Sequence, residues 1–178
     1  GKGVVSLDAS AEENVRELAK ALKKDVSEIT VAMIDRPRHV GLMEAVRRAG
    51  ARTRLFLDGD VAAGIHAVTG GGNIDMLLGI GGAPEGAISA CATQALDGYM
   101  QGRIAPQSPE ELKRATAAGH DLSKIFEIND LVASDNTYFV ATGVTRAIVF
   151  ADCTNPYFFD SSGHNSTGSW VMLTSTYD

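Results

Sequence analysis

The chain has 178 residues, of which 44% are hydrophobic and 21% charged, proportions that fit one globular domain better than a disordered or membrane-spanning chain. At this length folding buries roughly 70% of the extended chain's surface, so a core needs no disulfide or metal staple. Sixteen Lys and Arg against twenty-two Asp and Glu leave a net charge of −6, which speaks against sequence-independent binding of nucleic acid or an anionic membrane. Any phosphate must then be held by a local basic cluster.

Ser10-Ala11-Glu12-Glu13 is a capping-box pattern, and Val15, Leu18, Ala19 and Leu22 follow at helical spacing ahead of Lys23-Lys24 at the negative end of the dipole. Ile29 to Ile34 is an unbroken apolar, β-branched run, as expected for a strand buried on both faces. Leu42, Met43, Val46 and Ala49 mark a second helix that stops at Gly50. A strand over Thr53 to Leu57, a helical stretch over Val61 to Val68, a Gly70-Gly71-Gly72 turn and a strand over Ile74 to Ile80 come next. A third good helix runs from Pro84 to Leu96, with Pro in the first turn where its missing N–H costs nothing. Beyond Tyr99 the periodicity weakens: a helix over Glu110 to Ala118 and strands over Ile125–Ile128, Tyr138–Thr142, Val149–Phe150 and Trp170–Leu173 are expected. Strands alternating with helices at this spacing predict an α/β fold, a mainly parallel sheet with helices on both faces.

Ligands of open parallel sheets bind beyond the carboxyl ends of the strands, and three polar loops end the expected strands here. In Asp35-Arg36-Pro37-Arg38-His39, two guanidiniums separated by a rigid Pro can grip a phosphate from two sides, helped by the amide end of the next helix. The alternative is a charged surface turn in which Arg36 pairs with Asp35. Asp58-Gly59-Asp60 places two carboxylates about a glycine, suited to sugar hydroxyls or a cation, though Asp-Gly is also a common turn dipeptide. Gly79-Ile80-Gly81-Gly82-Ala83-Pro84-Glu85-Gly86 lets a backbone approach a ligand closely. In its first helical turn Glu85 either stabilises the dipole or offers a hard oxygen to Mg²⁺ or Mn²⁺. This loop lacks the Lys and Ser/Thr of a P-loop.

Other residues carry less. His39, His66, His120 and His164 show no ligand spacing, and His39 reads as a solvated cap residue. Ser161-Ser162-Gly163-His164 has groups suited to a hydrolase but no spacing that identifies a nucleophile and base. Trp170 and Tyr157-Phe158-Phe159 read as core. Cys91 and Cys153 are too few for a disulfide framework or a CxxC site, which points to a reducing, cytoplasmic compartment. No apolar run approaches the ~20 residues of a membrane span, and the charged opening does not read as a signal peptide.

Taken together and in order, Arg36-Pro37-Arg38-His39, Asp58-Gly59-Asp60-Val61 and Gly79-Ile80-Gly81-Gly82-Ala83-Pro84-Glu85-Gly86 resemble the class II fructose-1,6-bisphosphatases. The opening Gly3-Val4-Val5-Ser6-Leu7-Asp8 is most similar to the cyanobacterial-type members that also accept sedoheptulose 1,7-bisphosphate. Asp135-Asn136 and Ala141-Thr142-Gly143-Val144-Thr145 fit as well.

The resemblance implies the C-terminal half of a sugar-phosphatase fold of the inositol monophosphatase-like kind. It also implies metal-dependent hydrolysis of the 1-phosphate of fructose 1,6-bisphosphate. On that basis Arg36 and Arg38 hold substrate phosphate, with Pro37 setting their separation. Asp58, Gly59 and Asp60 form the sugar-hydroxyl loop, Gly82 admits the substrate, and Glu85 ligates Mn²⁺ or Mg²⁺. Residues 1–145 are expected to form the substrate-binding portion and 146–178 a divergent strand-forming tail. The family's N-terminal portion, which supplies most metal-binding acidic residues, is not matched in this sequence, so the chain alone is expected to be inactive and the intact enzyme to be a homo-oligomer. The alternative is a non-catalytic sugar-phosphate-binding or regulatory module, with a related inositol-phosphate hydrolase a third reading.

Overall fold

The computed structural model describes residues 3–70, 73–134, 136–141, 157–160, 170–171 and 174–176. The first helix, α1 (Ala11–Leu22), starts where the capping box places it. Ser10 Oγ accepts from the Glu13 amide at 3.2 Å and Glu13 Oε2 accepts from the Ser10 amide at 2.8 Å, reciprocal bonds that satisfy otherwise orphaned donors. Its buried face carries Val15, Leu18 and Ala19, and Lys23 closes it in the left-handed conformation with φ 54°.

Strands β1 (Thr30–Ile34), β2 (Arg52–Phe56), β3 (Met76–Leu77) and β9 (Trp170–Val171) form a parallel sheet in the order β2-β1-β3-β9. Thr30 to Ile34 lie opposite Arg52 to Phe56, and Val31 and Ala32 lie opposite Met76 and Leu77. Alternation along β1 divides the core. Val31 and Met33 pack with α1 and with Ala45 and Val46 of α2 (Val40–Arg48). Ala32 packs with Ala63, Ala67 and Val68 of α3 (Asp60–Thr69) and Ala90 of α4 (Ala83–Ala95). Helices therefore cover both faces, as expected for a parallel sheet whose central strand reads as continuously apolar.

Several expected strands change: that over Ile125–Ile128 shortens to Phe126–Glu127, with Ile128 opening a helix, and two others differ near the sheet's carboxyl edge. The edge strand covers Arg52–Phe56 rather than Thr53–Leu57, because the Arg52 amide already donates to Ile29 O at 2.8 Å; Leu57 lies outside it, 78% exposed. The single strand expected over Ile74–Ile80 is two: β3, then β4 (Ile80–Gly82), which pairs in parallel with β10 (Thr174–Thr176) in a separate ribbon. Every residue from Ile74 to Gly79 is buried, so apolar patterning gave no sign of the break.

The remaining elements are β5 (Gln101–Gly102) antiparallel to β6 (Phe126–Glu127), α5 (Pro109–Ala117), α6 (Ile128–Leu131), and β7 (Tyr138–Ala141) antiparallel to β8 (Tyr157–Asp160). The expected strand over Val149–Phe150, Met172–Leu173 of the last strand, the Ser161–His164 group, Asp135 and residues Thr142–Thr145 lie outside the described residues. Among the described residues no helix is long and apolar enough to cross a membrane.

Candidate functional site

The order β2-β1-β3 has a consequence at the carboxyl edge of the sheet. The chain leaves β1 for α2 on one face and leaves the β3–β4 segment for α4 on the other. Adjacent strands whose connections diverge open a crevice between them, the usual ligand position in open α/β sheets. The loops after β1, β2 and β3 all end there.

The first loop is a single 3₁₀ turn over Pro37–His39, with Arg36 as its extended N-terminal residue and Pro37 where its fixed φ suits helix entry. Arg36 does not pair with the Asp35 carboxylate. Its Nη1 donates to the Asp35 carbonyl at 3.0 Å and its Nη2 to Asp58 Oδ1 at 2.7 Å. Arg38 donates through Nε and Nη2 to one acceptor, the Ile80 carbonyl, at 2.9 and 2.8 Å. Among the described residues each guanidinium thus gives two of its five N–H groups to protein acceptors.

In the second loop Gly59 takes φ +93° and precedes α3, a conformation that favours glycine. Asp60 is the first residue of the helix, its Oδ1 accepting from the Val61 amide at 2.9 Å. The other oxygen faces β4: a Cβ on Gly81 would lie 2.9 Å from Asp60 Oδ2. In the third loop Gly82 is extended and precedes α4, and Pro84 and Glu85 sit in the first turn. The Glu85 side chain folds back over Gly82, where a Cβ would collide with its carboxylate. Glycine at 81 and 82 therefore makes room for two carboxylates rather than providing positive φ.

These contacts link the loops pairwise, Arg36 to Asp58, Arg38 to Ile80 and Asp60 to Gly81, while the Glu85–Gly82 contact lies within the third loop. The stretch predicted as a glycine-rich loop is in part strand β4. The residue misread from sequence is His39, which is buried at 3% exposure rather than solvated. Its Nδ1 lies 2.7 Å from Ile34 O, and the Ile80 amide donates to its Nε2 at 2.8 Å. The ring packs where Gly79 leaves room, since a Cβ there would lie 3.2 Å from His39 Cε1, a relationship the sequence does not signal.

Among the described residues no three His, Cys, Asp or Glu side chains gather where they could share a metal ion. The donors among the described residues do not by themselves build the multi-carboxylate centre that metal-assisted phosphoryl transfer uses.

The family model described as "Bacterial fructose-1,6-bisphosphatase, glpX-encoded" matches residues 1–175. Among curated proteins the chain is 37% identical over 158 residues to "Fructose-1,6-bisphosphatase 1 class 2" of Escherichia coli strain K12. It is equally similar to "Fructose-1,6-bisphosphatase class 2" of Shigella flexneri. In both cases the match covers 82% of this chain and 47% of the relative, so the chain spans about half the length of the curated relatives it matches.

Proposed function

The chain belongs to the glpX-encoded family of bacterial fructose-1,6-bisphosphatases, and on that premise we propose that it carries the sugar-phosphate-binding part of an enzyme that hydrolyses the 1-phosphate of fructose 1,6-bisphosphate. The observation that carries this reading is the meeting of Arg36, Arg38, Asp58, Asp60 and the Gly81–Glu85 segment at the carboxyl edge of one parallel sheet. The wider fold we propose is the inositol monophosphatase-like one, with residues 1–145 as its substrate-binding portion and 146–178 as a divergent tail.

Within this reading each side chain has a distinct task. The spare N–H groups of Arg36 and Arg38 hold the phosphate that does not react, and charge-assisted bonds of this kind are stronger than neutral ones. Binding energy collected there positions the reacting phosphate without being lost in the chemical step. Asp58 and Asp60 accept hydrogen bonds from sugar hydroxyls, and Gly59 and Gly82 let the substrate approach the backbone. Glu85 would offer a carboxylate oxygen to Mn²⁺ or Mg²⁺, which would polarise the reacting phosphate. The scarcity of cysteine supports a cytoplasmic location, and we propose that the intact enzyme is a homo-oligomer.

The test is phosphate release from fructose 1,6-bisphosphate by the full-length gene product with Mn²⁺ or Mg²⁺. Activity should fall at least tenfold in Glu85→Gln, as loss of a ligand or its support typically brings, and should survive unchanged if Glu85 only stabilises the helix dipole. Assaying sedoheptulose 1,7-bisphosphate beside it decides the seven-carbon question. The lack of gathered acidic residues in the described part favours one second reading, a module that binds sugar bisphosphates without hydrolysing them. Phosphate release by the full-length protein with either metal separates the two, since such a module binds the bisphosphate and leaves it intact.

A further inference from the structure

Three neighbouring facts converge on one backbone residue. The Ile80 amide donates to His39 Nε2 at 2.8 Å, while the Ile80 carbonyl receives Nε and Nη2 of Arg38 at 2.9 and 2.8 Å. Both polar backbone atoms of Ile80 are therefore engaged by consecutive side chains of the β1–α2 turn. On its other side the His39 ring is fixed to β1, with Nδ1 2.7 Å from Ile34 O. With the Ile80 amide donating to Nε2, the ring proton lies on Nδ1 facing Ile34 O, and the Ile80 carbonyl lies 3.2 Å from the same Nε2.

This arrangement explains the break between β3 and β4. The Leu78 amide still pairs with Ala32 O at 3.0 Å, but two residues later the ladder partner of Ile80 is an imidazole. Buried backbone groups must be paired, and His39 provides the partner that lets the chain leave the main sheet. Gly79 is where the ring packs against the chain, with a Cβ position 3.2 Å from Cε1. Downstream of the break lie Gly81, Gly82 and Glu85, and upstream of the imidazole in sequence lie Arg36 and Arg38.

We propose that His39 is a positioning residue for the sugar-phosphate site: its imidazole pins Ile80 so that the Arg36–Arg38 turn and the Gly81–Glu85 segment face each other. The inference rests on the functional reading above. His39 does not touch substrate; it acts through Ile80 and, by sharing that residue, through Arg38. Free of the imidazole, β4 keeps its pairing with β10 but loses its fixed position against β1, and Arg38 loses the fixed carbonyl that aims its fork.

The test uses the full-length protein with His39→Asn, which is too short to accept from Ile80, and His39→Gln, which reaches to about the Nε2 position and can accept. Two readouts apply: hydrogen exchange at the Ile80 amide relative to Leu78, and the kcat and KM for fructose 1,6-bisphosphate. Expected for His39→Asn are lost protection at Ile80 with Leu78 still protected, and a KM raised at least tenfold with a smaller change in kcat. His39→Gln should recover part of both. A residue that merely supports folding would lower the active fraction and so the apparent kcat, leaving KM unchanged. A folded His39→Asn enzyme whose KM stays within twofold of wild type overturns the inference. Should that variant not fold, a folded His39→Gln enzyme with an exchanging Ile80 amide and an unchanged KM overturns it equally. A wild-type protein that neither binds nor hydrolyses the bisphosphate overturns the functional reading first, and this inference with it.

Discussion

Arg36 Nη2 and Asp58 Oδ1 stand 2.7 Å apart, joining the turn after β1 to the turn after β2. The Asp58 side chain is 87% exposed and that of Arg36 37%, so the pair is worth little to the fold: exposed ion pairs contribute about 0.2–1 kcal/mol. In the proposed site its role is to fix the Arg36 guanidinium against the loop after β2. Arg36→Ala should therefore shift stability by under about 1 kcal/mol in urea denaturation. In calorimetric titration it should cost about 1.5–3 kcal/mol of bisphosphate affinity, the range for a hydrogen bond to a charged group. Arg36→Lys should keep part of that affinity, since charge survives and the planar fork does not.

Gly81 and Gly82 invite the opposite experiment, in which a methyl group is added. A Cβ on Gly81 meets Asp60 Oδ2 at 2.9 Å and one on Gly82 meets the Glu85 carboxylate. Both obstacles are ends of side chains, so the backbone need not move. Gly81→Ala and Gly82→Ala should leave the melting temperature within a few degrees of wild type while weakening ligand binding or metal-dependent turnover at least tenfold.

Gly98 provides the structural contrast. A Cβ there would lie 2.7 and 2.8 Å from the two methyls of Val68 and 2.9 Å from that of Thr93. Neither side chain has room to retreat, because Val68 and Thr93 are both 2% exposed. Gly98→Ala should destabilise the chain by about 1–3 kcal/mol, the usual cost of overpacking, with ligand affinity per folded molecule unchanged. Denaturation and calorimetry on one sample check both halves.

Titration offers another handle. Burial, then the charge of Arg54, lowers the pKa of His66 from 6.5. Below 6.5 the unfolded chain binds the proton more readily than the folded one, so stability contributed by the neutral imidazole is present above that pH and lost as pH falls through it. Tyr99 behaves in the other sense: burial, then Glu127, pushes its phenol up from 10.0 to about 12. Its contribution is intact below pH 10 and lost as pH rises from there toward 12. Melting curves across pH should therefore droop at both ends, with His66→Gln flattening the acid limb and Tyr99→Phe the alkaline one.

Much of this was legible in the chain itself, for identifiable reasons. The start of helix α1 could be read because a capping box and an apolar stripe agree, and β1 could be read to within a residue because Val31, Ala32 and Met33 are apolar and buried without a break. The three site loops could be placed because each follows a strand and contains Arg, Asp or Gly. What could not be read was the pairing of those loops. Arg36 takes only the backbone carbonyl of its neighbour Asp35, and its carboxylate partner is Asp58, twenty-two positions away, on the loop after the paired strand β2. The break at Gly79 was hidden for a similar reason: the imidazole that meets Ile80 there, His39, is forty residues distant and reads as a solvated cap residue because it sits among charged neighbours.

The measurement that bears most directly on the location of the site is an amide-resolved NMR titration of the chain with fructose 1,6-bisphosphate, with and without Mg²⁺. Shifts should concentrate at Arg36, Arg38, Asp60, Gly81 and Gly82, with α1 and α5 silent. Saturable shifts confined to α5 or to the outer edge of β2, with those five amides unmoved, would contradict a sugar-phosphate site at the carboxyl edge of the sheet.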